Sequence, residues 1–177
     1  MSAQPIHSHP EPDRVPRNAE GIAAALEGER RMEFYRELLA AAPEDAEGVL
    51  RRWWCEAMLD TDPSGGRFTD AALNGTLPTK SVAAAIARRR AAGLPLSESH
   101  GQEPEGWPCE LSEEVDALLA DLSLPGEVFG AIIAATVQIN ETRRMPLGRD
   151  GVLGVAEYVI VADADPPYIV LTRIQLY

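Results

Sequence analysis

The chain is poor in lysine, histidine and cysteine. Lys80 is its one lysine among 177 residues, beside fifteen arginines, three histidines and two cysteines. Cys55 and Cys109 lie outside any C-x-x-C pair and are too few for a secreted disulfide scaffold, so both are expected to be reduced and buried. His7 and His9 stand two apart in a proline-rich stretch. A metal site needs three or four fixed ligands, so no metal is expected. No apolar run approaches the ~18 residues of a membrane span, and none follows Met1 as a signal peptide would require. A cytoplasmic protein without a membrane contact is the expectation. There is no Gly-rich phosphate loop followed by Lys-Ser/Thr, and no G-x-S-x-G. The reading assigns no cofactor and no catalytic residue.

What the chain has is acid. Its formal net charge is -12, and residues 105–177 carry twelve acids against four bases. Phosphate backbones are bound by Lys and Arg displacing counterions, so the C-terminal half is a poor nucleic-acid surface. Hydrophobic residues make up 45% of the chain, enough for a packed core.

Residues 1–17 hold Pro5, Pro10, Pro12 and Pro16 with little to bury, and read as a disordered tail. Residues 18–93 read as a helical domain. Asn18 caps a helix from Ala19 to Glu27. A second helix runs from about Glu29 to Ala42 with Met32, Tyr35, Leu38 and Leu39 as its buried stripe. A third runs from Pro43 to about Leu59. It carries Trp53 and Trp54, which point ~100° apart. Either one is core and the other a contact residue, or both are buried between helices. After a turn-rich loop, Thr69 opens a short helix and Thr79 caps another from Lys80 to Ala92. That pair suggests a helix-turn-helix with Lys80, Arg88, Arg89 and Arg90 on nucleic acid. The same arginines also suit a solvated helix C-terminus. Residues 94–106 read as a linker.

Residues 107–177 switch period. Trp107 to Leu111 reads as a strand. Ser112 opens a helix with Val115, Leu118, Leu119 and Leu122. A second helix follows the Ser123–Gly126 turn and runs to about Arg143. Strands are expected at Val152–Val155, Tyr158–Ala162 and Tyr168–Tyr177, the last two as a hairpin around Asp163–Pro167. The fold class is α+β: an all-helical N-terminal half followed by a small β-α-α-β-β-β domain. Glu113, Glu114 and Asp116 at a helix start could pair as catalytic carboxylates, but acids there also match the dipole.

That order, with Glu157-Tyr158-Val159-Ile160-Val161, an Asp-rich turn and Tyr168-Ile169-Val170-Leu171-Thr172-Arg173-Ile174, resembles the RelE/ParE superfamily of bacterial toxins over residues 105–177. Ribonuclease members of that family use basic residues on the sheet. Here Val159 stands where an Arg usually follows the Tyr, and the last strand ends Gln175-Leu176-Tyr177. The half has no His, and general acid–base cleavage of RNA needs a proton carrier and cations. The resemblance therefore implies a degenerate domain beside an antitoxin-like helical half. The expectation is a non-catalytic interaction module with Trp53, Trp54, Tyr158, Arg173 and Tyr177 as contacts to a protein partner or between the halves. The alternatives are a self-inhibited toxin, an mRNA interferase or gyrase-directed, using Arg143, Arg144, Arg149 and Arg173, and a DNA-binding regulator using the 69–92 helices.

Overall fold

Strands near the C-terminus are apolar on both faces, so both faces must be covered. The computed structural model of the chain describes residues 14–95, 108–136 and 143–177. Five strands form one mixed sheet: β1 (Thr79–Ser81), β2 (Cys109–Ser112), β3 (Arg144–Leu147), β4 (Gly154–Val161) and β5 (Tyr168–Leu176). Their spatial order is β1-β2-β5-β4-β3, with β2 parallel to β5 and every other pair antiparallel. The class is α+β, and the layers are helix, sheet, helix.

One face carries α5 (Val82–Ala91), α6 (Glu113–Ala120) and α7 (Gly126–Ala135). Leu111, Ala156, Tyr158, Ile169 and Leu171 project into this core and meet Val115, Leu119, Phe129 and Ile132. Ser112 starts α6 by accepting the Val115 N–H, and its hydroxyl donates to the Thr172 carbonyl, so the cap also ties the helix to β5. The other face carries α1 (Ala19–Ala25), α2 (Gly28–Ala40), α3 (Ala46–Asp60) and α4 (Gly65–Leu73). Ile22, Leu26, Phe34, Trp53, Trp54, Cys55 and Ala57 share a core there with Val155 of β4. Ala72 of α4 packs on Val159, Val161 and Val170.

The structure corrects several expectations. The two halves are not separate units, because β1, drawn from residues read as helix, completes the sheet beside β2. Ser81, not Thr79, caps the helix that follows, its side chain accepting from the Ala84 N–H. Arg14 to Arg17 do not belong to a tail. Val15 is buried, and its carbonyl accepts the Trp54 indole N–H at 2.8 Å. The inner residue of α2 is Phe34; Met32, Tyr35 and Leu39 face outward. Val152 lies beside a single 3-10 turn, and the strand before β4 is β3, with Pro146 on the sheet edge where a missing N–H costs no ladder bond. His7, His9, His100, Trp107 and the linker from residue 96 lie outside the described residues.

Candidate interaction surface

The site residues sort by burial. Trp53, Trp54, Tyr158 and Arg173 are buried, and only Tyr177 of the five expected contacts is exposed. They serve contacts within the chain. Trp53 donates its indole N–H to Glu37 Oε2 at 2.7 Å. Trp54 meets Tyr177 edge to face at 5.4 Å, and the Arg17 guanidinium lies 4.3 Å and 4.7 Å from their ring centres. The contact between halves is therefore real, but it is carried inside the fold. Tyr177 itself brings the end of β5 against Arg17.

Arg173 enters a polar layer between α3 and the sheet. Thr172 is an extra residue in β5: Tyr158 pairs with Leu171, whereas Glu157 pairs with Arg173. The bulge turns Arg173 onto the same face as Glu157, toward α3, when strict alternation would send it into the apolar core. Arg173 Nε and Nη2 donate to Glu157 Oε2 at 2.8 and 2.5 Å, and Nη1 reaches Leu59 O and Asp62 Oδ2 at 3.3 and 3.2 Å. Arg144 of β3 holds the other oxygen, Glu157 Oε1, at 3.2 Å. Its Nη1 reaches Glu56 Oε2 at 2.8 Å and Asp60 Oδ1 at 2.7 Å. Arg30 of α2 closes the ring on Glu56 and Asp60 at 2.9 and 3.2 Å.

Burial alone would depress the Arg144 pKa, but the Glu56 and Asp60 carboxylates raise it further above the ordinary arginine value. Burial likewise opposes charge on Asp62. Two hydrogen bonds from Ser64 and the Arg173 guanidinium outweigh it and hold the carboxyl below the usual range. Glu114, at the start of α6, goes the other way: burial and the Asp62 charge raise it. Both sheet arginines are thus neutralised from α3 and the turn after it. Sequence reasoning missed Glu56 and Asp60; their four-residue spacing beside Trp53 and Ala57 was the one available signal.

Three of the four residues expected on nucleic acid are also engaged. Lys80 and Arg88 bond the two oxygens of the buried Asp116 at 2.9 and 2.7 Å. Arg89 is buried, lies 4.5 Å over Phe129 and donates to the Leu124 carbonyl. Arg90 is exposed and has no ion pair among the described residues. A recognition helix would need them free.

An open groove of about 660 Å³ lies between the end of α2, the start of α3 and the β3–β4 turn. Ala40, Ala41, Val49 and Val152 form its apolar floor. Asp150 and Val152 of the β3–β4 turn line its far side, and Gly151 between them sets how the turn packs on α3. The φ of Gly151 is +78°, and an added Cβ would stand 2.9 Å from Arg52 Cγ, so the turn can seat on α3 only with glycine there. Around the rim Arg51 is paired with Glu47 and Arg52 with Glu37. Burial disfavours charge on Glu37, yet Arg52 and the Trp53 N–H hold its carboxyl below the ordinary range. Among the described residues Glu44, Asp45 and Asp150 have no such partner, against Arg149 as the remaining rim cation. The rim therefore presents surplus negative charge over an apolar floor.

Among the described residues no group of three or more His, Cys, Asp or Glu side chains is placed to hold a metal, and no helix is long and apolar enough to cross a membrane. A scan against protein-family models, a search of curated proteins and a search of solved structures each found no match to this chain.

Proposed function

We propose that the chain is a non-catalytic protein-interaction module of toxin–antitoxin ancestry. Its helical layer occupies the cationic face of a RelE/ParE-like sheet, and its groove takes a basic segment of a partner protein. The observation that carries this is the saturation of Arg144 and Arg173 by Glu56, Asp60, Asp62 and Glu157. Cations so held are not available to a charged transition state, which needs preorganised donors aimed at developing charge. The surplus carboxylates of the groove support the choice of a basic partner, because complementary charge steers and registers an interface.

The test uses two fluorescent peptides of ~12 residues with the same apolar content, one carrying four arginines and the other four glutamates. The full chain is expected to bind the arginine peptide alone. Asp45→Lys and Asp150→Lys should each weaken binding at least tenfold, whereas Asp163→Lys, in the β4–β5 turn, should not. Equal binding of both peptides, or indifference to the groove substitutions, overturns the proposal.

A self-inhibited toxin is the second reading, favoured by the same ion pairs, since they cross from helices to sheet. Glu56→Gln with Asp60→Asn would take away two of the carboxylate charges that hold Arg144. Growth arrest or RNA cleavage by that variant, absent from the parent chain, would move the function to this reading.

A further inference from the structure

We infer that Arg52 holds the place of a partner protein's arginine on Glu37, and that binding in the groove exchanges one guanidinium for the other. The inference rests on the reading that the groove takes a basic segment, and it names the residue of that segment that is recognised.

Glu37 of α2 is a fixed acceptor. Its Oε2 takes the indole N–H of the buried Trp53 at 2.7 Å, so the carboxylate is anchored from the core side. Trp53 is itself packed on Phe34, with 5.8 Å between ring centres. Arg52 Nη2 bonds the same oxygen, Oε2. Among the described residues Oε1 has no partner. The Glu37 side chain is 36% exposed and lines the groove, so a ligand can reach the open oxygen.

Arg52 is held unlike the arginines of the polar layer. Arg30, Arg144 and Arg173 each pair with two or more carboxylates. Arg52 touches one oxygen through one nitrogen, and its side chain is 25% exposed. A single contact so open to water is weak, and exchanging it costs little. The stem is better fixed than the head. Cγ and Cδ pack on Gly151, where an added Cβ would stand 2.9 and 3.1 Å from them. The guanidinium can therefore turn off Glu37 while its methylenes stay against the β3–β4 turn.

An incoming arginine gains more at Glu37 than Arg52 loses. Its planar fork can bond both carboxylate oxygens in parallel, where Arg52 bonds one. A lysine ammonium is a point charge and gains no such second bond. Arg52 thus acts as an internal competitor. It lowers the apparent affinity by the fraction of chains in which Glu37 is free, and it screens out cations that cannot outbid a guanidinium.

The test titrates the full chain into the arginine peptide described above and into its counterpart with four lysines, read by fluorescence anisotropy. The parent should prefer the arginine peptide by about threefold or more. Arg52→Met, which keeps a stem against Gly151, should raise affinity for the arginine peptide by about threefold or more. Arg149→Met removes a groove cation without freeing Glu37, and should give a smaller gain, equal for both peptides. Glu37→Gln, whose amide oxygen still accepts from Trp53, should erase both the arginine preference and the gain from Arg52→Met. If tryptophan emission shows that Arg52→Met does not fold, the Glu37→Gln comparison decides alone. Suppose the arginine peptide binds and Asp45→Lys weakens it. Then an Arg52→Met protein with no gain, a gain matched by Arg149→Met, or an arginine preference that survives Glu37→Gln each overturns the exchange and leaves the groove reading standing. Binding of neither peptide by the parent and by Arg52→Met overturns both.

Discussion

Glu157 and Arg173 face each other across the β4–β5 ladder on the side turned toward α3, and they do so because Thr172 is inserted between Leu171 and Arg173. A single extra residue thus decides whether a guanidinium lies in the apolar core or beside a carboxylate. The Thr172 hydroxyl donates to the Glu157 carbonyl at 3.2 Å and fixes the bulge.

Removing Arg173 leaves the buried Glu157 with Arg144 on one oxygen only. Arg173→Ala is expected to cost about 3 kcal/mol in urea unfolding, since it takes the guanidinium from the buried side of Glu157 and from Asp62. A loss below ~1 kcal/mol would mean that the buried layer is solvated.

Gly65 and Gly66 should separate backbone propensity from packing. A Cβ on Gly65 would stand 2.6 Å from Arg173 Nη2, whereas one on Gly66 meets nothing within 4 Å. Both open α4. Gly66→Ala is expected to be neutral or stabilising by up to ~1 kcal/mol, as alanine favours helix. Gly65→Ala should destabilise, because the guanidinium it displaces is held by its carboxylate partners. Equal effects in thermal melts would contradict this geometry.

The hairpin β4–β5, the Ser112 cap and the α+β class were legible because each rests on local chemistry: β-branched runs, a capping hydroxyl, an acidic proline turn; the two strands expected at Val152–Val155 and Tyr158–Ala162 are one, β4. What was not legible has no local period. Thr79-Lys80-Ser81 is a polar edge strand of three residues, specified by its pairing with Glu110, Leu111 and Ser112. Arg144-Met145-Pro146-Leu147 follows the helix expected to end at about Arg143 and was assigned no element, and the left-handed turn at Gly148, Asp150 and Gly151 moved the following strand to Gly154. In α2 apolar residues occupy both sides, so spacing could not say that Phe34 goes in and Leu39 stays out. For the candidate surface, Tyr177 remained exposed while the two tryptophans were taken up by the core, the outcome that residue type alone left open.

Acid should loosen the contact between α5 and α6. Burial disfavours charge on Asp116, but Arg88 and Lys80 hold its carboxyl below the ordinary aspartate value. A folded pKa lowered in this way gives stability that is present above the unfolded value of about 3.9 and is lost as pH falls through the folded value. Glu114 has the opposite sign. Its raised pKa makes its charge unfavourable, a penalty present at pH 7 that fades as pH falls through the folded value. Glu114→Gln is therefore expected to raise Tm at pH 7 and to leave it nearly unchanged at pH 4, while Asp116→Asn lowers Tm at pH 7. A Glu114→Gln protein that melts earlier at pH 7 would contradict the assignment.

Both thiols should be silent in the native state. Burial pushes Cys55 and Cys109 up to about 12, and both side chains are buried. A thiol reagent at pH 8 is expected to label neither in buffer and both in guanidinium, since the thiolate is the nucleophile. Rapid labelling of either in buffer would place it at the surface.

The measurement that bears most directly on the neutralised sheet is a double-mutant cycle between Asp60 of α3 and Arg144 of β3, joined at 2.7 Å. Asp60→Ala, Arg144→Ala and the double variant would be unfolded in urea alongside the parent. A coupling energy of at least ~1 kcal/mol is expected for partners in one buried network. Additive losses, with coupling near zero, would show that the helical layer does not hold the sheet's arginines and would return them to solvent and to chemistry.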